Sequence, residues 1–376
     1  MAIRNTSFEL TLGKHENKLR CCLTRPDDKS ITLPNFSCSF RQKDVREIST
    51  YLTTVIKSAT KKTPDPLVDT VSILGMEVGV VLEPILEHFN LIDRIDKANM
   101  NLTLILDKYA VRIPWELALL RNKNDELDLN FLCRRINIGR TLKTQNQKKT
   151  ANTSNAKKSP RERRALVVGL DYTKSKDNDL ENCEEDAEKA HKELTAFGKK
   201  NKLKVLPLLI GEKVKKSTIE KHLRDGIDIF YFSGHGEIRR NISRIILNRN
   251  ELLSAQKVDE MLHKFKIKAP RLSFLNACET CLQKPSGGLV KDWAHAIANN
   301  GGRALIGTFW SVLDQDSPNF SRAFYRNFFS DGKTIGASVR MAREETVKEM
   351  EDEDYSTWPA FVLYGNPTLR ASDILE

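Results

Sequence analysis

Residues 227–237 read IDIFYFSGHGE and residues 271–280 read RLSFLNACET. Each opens on a short, almost wholly apolar run that stops abruptly at small, polar and reactive residues. Runs of this length, apolar at odd and even positions alike, are what strands look like when a sheet is covered on both faces. The first carries His235 to its end and the second carries Cys278. In largely parallel sheets the carboxyl ends of the strands hold the chemistry.

The same rhythm extends to either side. Further strands are expected at residues 165–170, 204–209, 245–247, 304–308 and 360–363, and helices at 183–197, 216–223, 258–265, 289–299, 319–329 and 335–350. Upstream, residues 8–12 and 19–23 alternate around a polar KHEN stretch as two paired strands would. Helices are expected at 43–60 and 69–89 and a strand at 101–106. The expected class is α/β, a largely parallel sheet flanked by helices over residues 165–376, preceded by a smaller mixed α/β half over residues 1–140.

Between the two halves, residues 141–164 read TLKTQNQKKTANTSNAKKSPRERR, with eight Lys or Arg and one acid. No face of this stretch can bury enough apolar surface to order it, so a basic flexible linker is expected. The whole chain of 376 residues has 61 Lys plus Arg against 50 Asp plus Glu, a formal charge of +11, of which the stretch carries +7. What remains is nearly balanced. There is no zinc-finger spacing, recognition-helix motif or aromatic-basic RNA motif, so direct nucleic-acid binding is not expected. Lys157-Lys158 and Arg163-Arg164 are candidate points of self-cleavage, and equally points where any trypsin-like enzyme would nick a tether.

Other classes are excluded in the same way. The segment MAIRNTSFELTL lacks the apolar core of a signal peptide, and the most apolar stretch, residues 71–86, is interrupted by Glu77 and Glu83 and is shorter than the ~20 residues a spanning helix needs. A cytoplasmic chain with no membrane partner is expected. The seven cysteines are then free thiols. Cys278 and Cys281 form a CxxC with no second pair, and no two histidines have the i, i+4 spacing of a helical metal site. Asp331-Gly-Lys-Thr334 lacks the earlier glycine of a phosphate-binding loop, since position 327 is Asn. No metal and no cofactor is expected.

A cysteine peptidase needs a thiolate to attack a carbonyl, a histidine to handle the proton and amide donors where the oxyanion forms. Gly234 and Gly236 leave backbone free on either side of His235. Taken alone, a histidine in a glycine turn and a cysteine after an apolar strand both have structural explanations. The pattern leaves both readings open.

FYFSGHGE followed by LSFLNACET resembles the His-Gly and Ala-Cys-Glu-Thr elements of CHAT domains, caspase-like peptidases often found beside tetratricopeptide repeats. GGRALIGTFWSVLD, FYRNFF and FVLYGNP resemble later parts of that family, and LGMEVGVVLEPIL and RIPWELALL resemble its lead-in, so the likeness spans roughly residues 70–370. It implies a cysteine endopeptidase with Cys278 as nucleophile, His235 as proton shuttle and the amides of Gly236 and Cys278 as oxyanion hole. LENCEEDAEKA resembles the metacaspase segment in which an aspartate lines the pocket for a basic P1 residue, which would be Asp186. The companion acidic position two before the nucleophile is Asn276 here, a departure that puts half of that pattern in doubt. Asp171, just past the first core strand, is a second pocket candidate and equally a helix cap.

The resemblance further implies a prokaryotic antiviral defence or cell-death setting, with a gasdermin or a CRISPR-linked effector as the class of protein substrate. No repeat of ~34 residues is present, so any sensor or regulator would be a separate chain. The rival classes are a catalytically idle caspase-like scaffold for protein binding and, further off, a nucleic-acid binder.

Overall fold

The computed structural model describes residues 7–16, 18–25, 28–32, 36–59, 67–95, 100–122, 130–143, 162–172, 180–282, 292–312, 315–349 and 357–376. The N-terminal half contains β1 (Ser7–His15), β2 (Lys18–Arg25), β3 (Asp28–Thr32), β4 (Phe36–Ser39), α1 (Gln42–Ala59), α2 (Leu67–His88), α3 (Ile92–Ile95), β5 (Asn101–Leu106), α4 (Leu132–Arg135) and β6 (Asn137–Leu142). The C-terminal half begins with β7 (Arg163–Gly169), α5 (Cys183–Asn201), β8 (Leu203–Val205), α6 (Lys216–Asp225), β9 (Ile229–Ser233), β10 (Gly236–Arg239), β11 (Ile242–Ile246) and β12 (Leu252–Ser254). It ends with α7 (Ala255–Phe265), β13 (Leu272–Asn276), α8 (Trp293–Asn299), β14 (Ala304–Thr308), α9 (Ser317–Tyr325), α10 (Ile335–Glu349), β15 (Phe361–Gly365) and α11 (Ala371–Leu375).

Among the described residues one sheet runs through both halves, in the order β3-β2-β1-β5-β6-β15-β14-β13-β9-β7-β8, with β4 on β2. Within β1-β5-β6-β15 the neighbours are parallel, and so are those within β14-β13-β9-β7-β8; the two blocks meet antiparallel where β15 pairs with β14. The sheet is therefore mostly parallel, with antiparallel pairing where β14 meets β15 and around β2 at the far edge, and with helices on its faces. Alternate residues of the central strands enter separate cores: Leu166, Val168, Phe230, Phe232 and Leu275 on one side, Val167, Ile229, Tyr231, Leu272 and Phe274 on the other. Two covered faces are the reason these strands read as unbroken apolar runs.

The motifs before the linker close the seam where β6 meets β15. Gly75 and Gly79 form a bare strip on α2, and a Cβ at Gly75 would stand 2.7 Å from the Leu117 carbonyl oxygen. The strip admits the RIPWELALL segment, whose Leu119 N–H donates to the Gly75 carbonyl at 2.9 Å. From that segment Glu116 grips Arg140 of β6 through two hydrogen bonds, both side chains being buried. Arg140 also donates to the carbonyls of Val111 (3.0 Å) and Ile113 (2.8 Å) and lies over the Phe309 ring. From the other half, Arg343 of α10 donates to the Cys133 carbonyl at 3.2 Å and the Phe361 carbonyl at 2.8 Å, and Arg340 donates to Asn137 at 3.0 Å.

The boundary of the basic stretch differs from expectation at both ends. Thr141 and Leu142 finish β6, and Arg163-Arg164 open β7, paired with Leu203 and Lys204. Asp228 accepts from the Arg163 guanidinium at 3.3 Å and from the Arg164 backbone N–H at 2.9 Å, and the Arg164 guanidinium donates to the Asp225 carbonyl at 3.5 Å. A dipeptide held in a strand this way is a poor protease site, because cleavage needs a segment that can leave the sheet. Lys157-Lys158 lie outside the described residues. The expected strand at 204–209 is shorter, β8 with a single further bridge between Val168 and Leu209. A three-stranded sheet, β10-β11-β12, stands beside the main one where only residues 245–247 were expected to be extended.

Candidate active site

The register of β9 and β13 decides where the reactive side chains go. The strands are parallel neighbours whose last partners are Ser233 and Asn276. The Gly234 N–H carries the ladder one step further, to the Asn276 carbonyl at 3.1 Å. His235 and Cys278 therefore leave the sheet side by side, each two residues past its strand's last pair. A Cβ on Gly236 would overlap the Cys278 carbonyl oxygen and come within 3.1 Å of the Cys278 nitrogen. Only glycine lets these two backbones lie against each other.

A tight turn aims the cysteine. Glu279 has φ +54°, a left-handed conformation that a residue with a side chain adopts only when its surroundings hold it there. They do. The Thr280 and Thr308 hydroxyls both donate to the Ala277 carbonyl, at 3.2 and 2.8 Å, the Thr308 N–H donates to the Thr280 hydroxyl at 3.0 Å, and the Cys281 N–H donates to the Thr308 carbonyl at 2.9 Å. The turn is thus riveted to β14.

Cys278 keeps some exposed surface, yet burial of its thiol is the largest influence and pushes its pKa up from the ordinary thiol value. Hydrogen bonds from Ser311 and the Val312 backbone pull the other way. A thiol held above its usual range rests neutral and needs a base to become a nucleophile. His235 is partly exposed, its carbonyl accepts from the Ile246 N–H at 3.0 Å, and its ring meets that of Tyr172 with centroids 4.4 Å apart. Cys281, by contrast, is wholly buried, with burial pushing its thiol well up and its sulfur facing Gly307. Among the described residues no group of three or more His, Cys, Asp or Glu could hold a metal ion.

Asp186 and Asn276, 90 residues apart, touch beneath the strand ends, the Asn276 amide donating to the carboxylate at 2.9 Å. The Tyr231 and Ser321 hydroxyls also donate to Asp186, and the Asn276 amide lies 3.1 Å from the Ser317 hydroxyl and 3.4 Å from that of Ser233. Asp186 is only 1% exposed. Burial raises its pKa, with the hydrogen bonds from Ser321, Tyr231, Asn276 and Ser233 opposing the rise. The Asn276 side-chain oxygen, Oδ1, is buried with no hydrogen-bond partner. Asp171 accepts from the Glu184 N–H at 2.9 Å and so caps the first turn of α5. That is the capping role, at a distance from the Asp186 network.

Sequence reasoning missed Tyr231, Ser317 and Ser321, which complete that network. The signal was there in part: two serines at i, i+4 open α9, whose other inward residues are aromatic or alanine.

The model of the CHAT domain matches residues 79–366. The chain belongs to the CHAT domain family. No curated protein sequence matches it significantly. Among solved structures, the Arg-specific cysteine proteinase gingipain R aligns with a TM-score of 0.51 and 12% identity over 88% of this chain and 76% of its own. Separase of Saccharomyces cerevisiae, in complex with securin, aligns with a TM-score of 0.55 and 12% identity over 96% of this CHAT chain and 30% of its own. The CHAT chain thus spans under a third of the separase chain. At these identities the likeness shows the fold alone, and that fold is the caspase-like one of cysteine peptidases.

Proposed function

We propose that this CHAT protein is a cysteine endopeptidase that cleaves a specific protein substrate through a dyad of Cys278 and His235. The observation that supports the reading is the contact of the Gly236 and Cys278 backbones at the ends of β9 and β13, one residue from His235 and with two potential amide donors. His235 takes the thiol proton as Cys278 attacks the peptide carbonyl. The oxyanion is met by the amides of Gly236 and Cys278. His235 then gives the proton to the leaving amine, and water attacking with the same histidine as base frees the acyl product. The neutral resting thiol makes the histidine essential from the first step.

Asp186 is 1% exposed and enclosed by Tyr231, Ser321 and Asn276, which does not support its direct contact with a basic P1 residue. The expected setting is a prokaryotic antiviral or cell-death system, with a gasdermin or CRISPR-linked effector as substrate class and a separate sensor chain as regulator. A cytoplasmic location fits this. Among the described residues no helix is long and apolar enough to cross a membrane.

The test is cleavage of a peptide library, with an electrophilic peptide probe in parallel. Cys278→Ala and His235→Ala should each cut turnover by about a thousandfold or more, and the probe should modify Cys278. Turnover that survives Cys278→Ala, or a probe that never labels Cys278 with or without candidate activators, leaves the idle-scaffold reading in possession.

A further inference from the structure

Tyr172 stands three residues past β7 and takes no part in the chemistry above. Its ring lies against the His235 imidazole, centroids 4.4 Å apart and planes inclined by 53°. Two hydrogen bonds with Leu180 fix its backbone, 2.8 Å from its own N–H and 3.2 Å to its carbonyl. Its hydroxyl donates to the Ile246 carbonyl, and the Ile246 N–H donates to the His235 carbonyl at 3.0 Å. Burial raises the pKa of the Tyr172 hydroxyl, so it donates as a neutral phenol. Tyrosine, Ile246 and histidine thus close a ring of contacts that holds His235 by its backbone and by its imidazole at once.

Gly234 and Gly236 make that hold consequential. With no side chain on either neighbour, nothing adjacent in sequence restricts the rotation of the imidazole. An aromatic face beside it does, and its π electrons favour the imidazolium that forms when the Cys278 proton is taken up. The geometry points to Tyr172 as a positioning residue for His235, its ring orienting the imidazole toward Cys278 and stabilising the protonated form. This rests on the peptidase reading above.

The test compares the full-length protein with Tyr172→Phe, Tyr172→Leu, Tyr172→Ala, His235→Ala and Cys278→Ala. Two quantities are read: the rate at which iodoacetamide alkylates Cys278 at fixed pH, followed by mass spectrometry, and kcat and KM on one library peptide. Losing the ring should slow alkylation and lower kcat about tenfold, with KM within about twofold, while Tyr172→Phe stays within about threefold of wild type. A folded Ala or Leu variant alkylating at the wild-type rate overturns the inference, as does a Phe variant that falls as far as Leu. Should Tyr172→Ala not fold, Phe against Leu decides alone. If His235→Ala alkylates as fast as wild type, the dyad fails and this inference with it; if only the Tyr172 series is flat, this inference alone fails.

Discussion

The seam where β6 meets β15 and the edge where β9 and β13 end both bury a carboxyl, and they keep it in opposite ways. At the seam, Glu116 faces Arg140 in a bidentate pair, 3% and 0% exposed, with two backbone carbonyls taking two of the guanidinium's three other N–H groups. At the edge, Asp186 has hydroxyls and an amide around it, and no hydrogen bond to a cation. A fixed opposite charge suits a joint that never changes. Neutral dipoles suit the neighbourhood of a reaction in which charge appears and vanishes, because they leave no permanent field to hold a thiolate or an imidazolium in place.

The sharpest way to break this contrast is to unpair the seam. Glu116→Ala strands a buried guanidinium and should cost about 3–5 kcal/mol, seen as a large fall in the urea midpoint. The double variant Glu116→Leu/Arg140→Met should recover most of that, and a failure to recover would show that the pair does more than neutralise itself. Gly236→Ala strikes the edge instead. Its new methyl would overlap the Cys278 carbonyl oxygen, so Cys278 alkylation and turnover should fall about a hundredfold, and the urea midpoint should fall as well because the two backbones are forced apart.

Asp186→Asn comes next and carries a sign. Because burial raises the pKa of Asp186 in the fold, the native state holds its proton over a pH range in which the unfolded chain has lost it. Stability from this group is present below the unfolded carboxyl value, about 3.9, and is lost as pH rises through the higher folded value. Urea midpoints measured from pH 4 upward should therefore decline more steeply in wild type than in Asp186→Asn; parallel curves would mean the carboxyl sits in the fold without strain. Smallest is Glu344→Ala, which breaks a partly exposed pair with Arg134 at 2.7 Å and should cost under about 1 kcal/mol.

The sequence announced the edge far better than the seam. IDIFYF and RLSFL are legible because burial on both faces leaves few polar residues in them, Asp228, Arg271 and Ser273. The His-Gly turn and the Cys that follow mark themselves by chemistry. The β10–β11 hairpin was hidden because its turn is Arg240-Asn241, both at positive φ without glycine, so no familiar turn signal separates the strands. Arg163-Arg164 looked like linker because Asp228, which pairs with the Arg163 guanidinium and accepts from the Arg164 backbone N–H, is more than sixty residues away. The Arg140–Glu116 pair gives no sign in the sequence, because Glu116 is brought to β6 by a segment seated on the glycine strip of α2. Asp186 was visible as a candidate, but not the Tyr231 and Ser321 hydroxyls that enclose it, since one arrives from β9 and the other from α9.

The placing of β15 also sets an order in time. It is made after every other strand of the sheet, yet it lies between β6 and β14 and is the only described link between the two blocks of strands. A nascent chain that has already delivered His235 and Cys278 from the ribosome therefore has two unjoined half-sheets. The same last segment that completes the seam presents Phe361, whose carbonyl receives the buried guanidinium of Arg343. Assembly of the whole sheet is thus withheld until synthesis has passed β15, and a chain released early carries both reactive residues on a scaffold that cannot close.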